Sequence, residues 1–158
     1  MSRQTKDEVL AELAWEVRAA QSATDQMDAA ACRALGINRT DGRCMDVIDR
    51  EGPVAAGRLA EASGLTTAAV TAVIDRLEKA GYARRLSDPD DRRRVLVELT
   101  DLARERTGVI WGPLAELHAA LGRYTIEELR LLRDFQRLGR EYNEQRAAEV
   151  RALRFDDG

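Results

Sequence analysis

The sequence predicts a mainly α-helical fold with one small β-hairpin. Two observations lead to it. Ala, Leu, Arg and Glu dominate and aromatic residues make up only 4% of the chain, a helix-forming composition. Apolar residues also recur at three- and four-residue steps in most segments, giving way to alternation only between Tyr82 and Leu99. With 158 residues, 44% of them hydrophobic and 34% charged, the chain fits one domain or one small module with helical extensions.

The first helix runs from Lys6 to about Leu35, with Val9, Leu10, Leu13, Val17 and Ala20 on one stripe, and Gly36 stops it. Thr40 or Asp41 is placed to cap a second helix carrying Met45, Val47 and Ile48. That helix ends at Gly52-Pro53, because proline lacks an amide donor and disfavours helix before it. A short third helix spans about Ala55 to Ala62, with Leu59 and Ala60 inward, and closes at Ser63-Gly64. Thr66 caps a fourth helix that reaches about Ala80 and stops at Gly81. Strands follow at Tyr82–Ser87 and Arg94–Leu99, joined by SDPDDRR, a segment too polar for burial and rich in turn residues. Thr100 caps a fifth helix through about Leu121, bent at Gly112-Pro113. Thr125 opens a sixth, with Glu128 completing a capping box. Its stripe is Ile126, Leu129, Leu132, Phe135, Leu138 and Tyr142, and it reaches about Leu153.

Helix, tight turn at Gly64, helix and basic hairpin together make a winged helix-turn-helix, flanked by helices suited to dimerisation. The expected divisions are an N-terminal dimerisation helix (1–38), a DNA-binding lobe (39–100) and C-terminal dimerisation helices (101–158).

Charge supports a localised anionic partner. The net charge is −3, yet Arg76–Arg94 holds seven basic and four acidic side chains, a local +3 in a chain whose remainder carries −6. On a wheel of about 100° per residue, Val70, Val73, Ile74 and Leu77 of the fourth helix face inward. The opposite side presents Ala68, Ala72, Asp75 and Lys79, flanked by Thr67, Thr71, Ala69 and Arg76. Small side chains suit close approach to base edges in the major groove, and threonine can offer a hydroxyl or a methyl there. With Thr66 at the cap, this face is the expected reading surface; Arg76 and Lys79 are expected at phosphates.

The segment from Gly52 to Thr100 resembles the DNA-binding core of the MarR family of regulators. The most specific element is DPDDRRRVLVELT, similar to the family's wing, preceded by VIDRLEKAGYARR, which matches its recognition helix and first wing strand. The resemblance in helix order covers essentially the whole chain. It implies a homodimer built from the terminal helices, and a small-molecule pocket between that region and the DNA-binding lobe. It also implies that Arg93 is the wing-tip arginine that enters the minor groove and that Asp91 orients it, with Arg92 and Arg94 at phosphates. Ala72 stands where many relatives carry a long polar residue, which shifts the burden of specificity towards Thr67, Thr71, the wing and DNA shape.

Trp15, Met45 and Trp111 fall in the helices that line the family's pocket; ordinary packing explains them equally well. Cys32 and Cys44 lack metal or redox spacing and are expected to be buried structural thiols. Asp88, Asp90 and Asp91 suit a turn better than a metal site. His118, the single histidine, has no evident nucleophile to activate. The sequence therefore predicts a transcription regulator, a ligand-responsive repressor on a pseudo-palindromic operator, with no enzymatic activity and no cofactor. Its expected partners are double-stranded DNA, a second copy and a small-molecule effector. No apolar run approaches ~20 residues, so a cytoplasmic protein without a membrane partner is expected. The alternative is a protein-binding helical adaptor with a winged-helix shape, for which three consecutive arginines at a hairpin tip serve no purpose.

Overall fold

The computed structural model describes residues 4–89, 95–112 and 114–154. The chain divides into two compact units, Met1–Trp111 and Gly112–Gly158.

The first unit opens with α1 (Lys6–Leu35). A capping box starts it: the Thr5 hydroxyl accepts from the Glu8 amide, and the Glu8 carboxylate accepts from the Thr5 amide at 2.7 Å. The second bond holds the Glu8 carboxyl below its ordinary pKa. The helix ends where Gly36 adopts a left-handed φ of 69°, which lets the Ile37 amide reach back to the Cys32 carbonyl at 3.0 Å. Helix α2 (Arg39–Glu51) follows. Its cap is Asn38, not Thr40 or Asp41: the Asn38 side chain accepts from the Asp41 amide at 2.9 Å. The chain is extended at Asn38, whereas Thr40 and Asp41 are already helical, so only Asn38 has cap geometry. Asp41 is thereby left to turn its carboxylate inward.

Beyond Gly52 lie β1 (Val54–Ala55), α3 (Ala56–Ser63), α4 (Thr67–Lys79), β2 (Ala83–Ser87) and β3 (Val95–Leu99). The strands form one antiparallel sheet in the order β1-β3-β2, with Val54 opposite Val97 and Arg85 also opposite Val97. Two-residue β1 is too short to show alternation in sequence; only its pairing with β3 makes it a strand. The lobe core holds Met45, Ile48, Leu59, Val70, Leu77 and Val97, each at most 4% exposed. Tyr82 closes it, and its hydroxyl donates to the Leu35 carbonyl at 2.9 Å.

Thr100 joins the wing to α5 (Asp101–Trp111): its hydroxyl donates to the Gly81 carbonyl and accepts from the Ala103 amide. In place of the single fifth helix predicted to bend near Gly112, the chain carries two: α5 ends at Trp111, and α6 (Leu114–Leu121) belongs to the second unit. The second unit ends with α7 (Ile126–Ala152), started by the Thr125–Glu128 capping box. None of its 27 residues is buried. Among the described residues no helix is long and apolar enough to cross a membrane.

Candidate nucleic-acid interface

The helix-turn-helix is built around Gly64. Its left-handed φ of 69° allows the Leu65 amide to bond the Ala60 carbonyl at 3.0 Å, which ends α3 and turns the chain within two residues into the Thr66 cap. Thr66 accepts from the Ala69 amide, so its hydroxyl is engaged in starting α4. Val70, Val73, Ile74 and Leu77 are buried, which fixes the rotation of α4 on the lobe. The same rotation exposes Thr67, Ala68, Thr71, Ala72, Asp75, Arg76 and Lys79 and leaves Ala69 half-buried. The residues expected from the sequence to form a reading face therefore lie on the exposed side of α4. Thr71 donates its hydroxyl proton to the Thr67 carbonyl at 3.1 Å, which leaves lone pairs and a methyl group outward.

The structure assigns partners to three of the four described basic residues of the island, Arg76, Arg84 and Arg85. Arg76 is held by Asp41: Nε lies 3.2 and 3.1 Å from the two carboxylate oxygens and Nη2 lies 2.5 Å from one of them. These hydrogen bonds push the Arg76 pKa above its ordinary value. Arg84 pairs with Glu98 across the β2–β3 ladder. Arg85 bridges from the wing to α4, meeting Asp75 at 2.7 Å and also Glu78, whose carboxylate accepts from the Arg85 backbone amide as well. Lys79, among the described residues, has no carboxylate partner. Asp75, on the reading face, is therefore part of a charge-compensated clamp that roots the wing on α4.

The wing strands are paired to their outer end, Ser87 opposite Val95. Asp88 is buried and Pro89 exposed. Asp91, Arg92, Arg93 and Arg94, the tip residues singled out from the sequence, lie outside the described residues. The candidates for a small-molecule site stand in different settings. Met45 is a core residue of the lobe at 4% exposure, while the Trp15 and Trp111 side chains are exposed. Cys32 and Cys44 are free and buried, and burial pushes both thiols up.

Sequence reasoning missed the Asp41 partner of Arg76, which lies 35 residues away in sequence. A signal for it existed. Asp41 shares the inward stripe of α2 with Cys44, Met45 and Ile48, and a carboxylate on a buried face requires a cation.

Comparison with known proteins agrees with this geometry. A sequence model of the MarR family matches residues 37–95. The HTH-type transcriptional regulator YcgE of Bacillus subtilis is 44% identical over 107 residues, covering 67% of this chain and 70% of that protein. Apo MarR from E. coli shares the fold with a TM-score of 0.54 at 21% identity, covering 79% of this chain and 94% of its own. A MepR variant from S. aureus, solved bound to an oligodeoxyribonucleotide, does so with a TM-score of 0.56 at 17% identity, covering 84% and 97%. The helix-turn-helix around Gly64, the rooted wing and these likenesses converge: the chain belongs to the MarR family and is a helix-turn-helix transcriptional regulator, not an enzyme.

Proposed function

We propose that the protein is a homodimeric, effector-responsive repressor that binds a pseudo-palindromic operator. The observation that carries the DNA-reading part is the exposed face of α4, where Thr67, Ala68, Thr71 and Ala72 offer methyls and hydroxyls without bulk, beside a wing rooted by the Arg85 clamp. A helix of this profile approaches base edges closely in the major groove, and Lys79 meets the backbone. Arg93 enters the adjacent minor groove, oriented by Asp91, and Arg92 and Arg94 meet phosphates. The DNA-bound MepR variant supports this mode by fold likeness.

Dimerisation follows from apolar surface that a single copy leaves uncovered. Leu132, Leu138 and Tyr142 of α7 are 41–66% exposed, and Val9, Leu10 and Leu13 of α1 are 42–50% exposed. A second copy covers both stripes about a two-fold axis, which the operator's symmetry mirrors. The chain is accordingly organised as a dimerisation helix (1–38), a DNA-binding lobe (39–100) and C-terminal dimerisation helices (101–158). A small apolar effector held near Trp15 and Trp111 acts by favouring a geometry that misplaces the two reading helices.

The test is selection of bound sequences from random duplex DNA, followed by equilibrium titration over a range of salt. Enrichment of an inverted repeat with half-sites one helical turn apart is expected. Recovery of no consensus, with sequence-independent binding only, refutes the reading.

A further inference from the structure

We infer that Arg76 is a positioning residue: its ion pair with buried Asp41 sets the angle at which α4 leaves the lobe, and the guanidinium does not serve as a phosphate ligand. The inference rests on the reading above, in which α4 enters the groove, and it changes what one basic residue of that helix does.

Three observations carry it. The Asp41 side chain is only 4% exposed, and among the described residues Arg76 is the side chain that bonds its carboxylate. Swinging Arg76 out to a phosphate strands a buried anion, which is the most costly way to break such a pair. Second, the pair joins two helix ends of opposite polarity. Asp41 lies in the first turn of α2 and Arg76 in the last turn of α4, so each charge sits where its helix dipole favours it. Third, this pair is the one side-chain hydrogen-bonded tie between α2 and α4 among the described residues. Both helices otherwise contribute apolar side chains to the lobe core, and apolar packing is non-directional: it holds the helices together but resists sliding weakly. A bidentate fork is directional and fixes both the distance and the tilt.

The experiment uses the full-length protein, the selected operator and a scrambled duplex of the same length. Dissociation constants are measured across a salt series for wild type, Asp41→Asn, Arg76→Gln and Arg76→Lys, with circular dichroism confirming that each is folded. The positioning role predicts that Asp41→Asn weakens operator binding about tenfold, a loss on the scale of one mismatched base pair, although it removes a negative charge. Binding to the scrambled duplex stays unchanged, and so does the salt slope of Arg76→Gln. Mere loss of folded protein lowers binding to both duplexes together, and so overturns the role. A phosphate ligand predicts the opposite: Asp41→Asn frees Arg76 and tightens binding, and Arg76→Gln lowers the salt slope by about one. Should Asp41→Asn fail to fold, Arg76→Lys decides. Lysine keeps the charge but cannot reproduce the fork, so positioning predicts reduced discrimination, and wild-type discrimination overturns the inference. A wild type that fails to prefer any operator defeats the DNA-reading proposal itself, which is a separate result.

Discussion

Arg93 and Asp91 stand two residues apart in the sequence, and their proposed roles predict opposite signs from simple electrostatics. Arg93→Ala is expected to cost about 1–3 kcal/mol of operator binding and to lower the salt slope, while leaving the dimer folded. Asp91→Ala removes a charge that repels DNA, yet weakens binding if the carboxylate holds the arginine in place. Tighter binding by Asp91→Ala together with a neutral Arg93→Ala sinks the wing assignment; equilibrium titration on the operator decides. The thiols behave differently. Burial raises the pKa of Cys32 and of Cys44 above the ordinary 9.0. At pH 7.5 the thiolate is therefore scarce and sterically shielded, and mild peroxide is expected to leave DNA affinity unchanged. Iodoacetamide should label both cysteines promptly only in denaturant, and fast labelling of the native protein contradicts the expectation. The pH dependence has a definite sign. With folded-state values raised, the thiols cost no stability below pH 9.0 and lower it as pH rises past that point. Cys32 also limits its neighbour, since a Cβ on Gly42 would stand 2.6 Å from its sulfur.

At the scale of elements, Tyr82 connects pieces that are distant in sequence. Its hydroxyl donates to the last turn of α1 and accepts from Arg106 Nη1 of α5 at 2.6 Å, with that guanidinium also 5.6 Å from the ring centroid. Tyr82→Phe keeps the buried ring but leaves the Leu35 carbonyl without this donor, which should cost about 1–2 kcal/mol. Urea unfolding measures it, and an unchanged midpoint shows that the bridge contributes nothing. Element identity itself was largely legible. Gly36, Gly64 and Gly81 end helices where the sequence placed the stops, because each takes a positive φ that other residues avoid. Thr66 and Thr125 cap where expected because capping is decided within four residues. The α2 cap went to Asn38 because two residues of extended chain after Gly36 leave cap geometry there. Strand β1 was illegible for a different reason, since its hydrogen bonds come from β3, more than forty residues onward.

At the scale of the molecule, the exposed α7 stripe makes association testable. Leu138→Glu with Tyr142→Glu introduces charge at positions 66% exposed in the single chain, so the fold of α7 is not disturbed. Sedimentation should report a dimer for wild type at micromolar concentration and a dissociated species for the variant. Operator affinity should fall by orders of magnitude, because two half-sites are then no longer engaged together. A stable, folded wild-type monomer at that concentration refutes the dimer.

What the sequence determined by itself is local and periodic. Helix-forming composition, three-to-four-residue stripes, glycine stops and threonine caps specify the elements and their order, and the inward face of α4 follows from its period alone. The Arg76–Arg94 island was likewise legible as a local excess of basic side chains. Tertiary structure decided which of those charges remain available. Arg76 is taken by Asp41 from α2, Arg84 by Glu98, and Arg85 by Asp75 and Glu78, while Lys79 has no such partner among the described residues. A count along the chain adds charges without regard to geometry, whereas an ion pair requires two side chains to meet within 4 Å. Only the packing of α2 on α4, and of α4 on the wing, brings those pairs together.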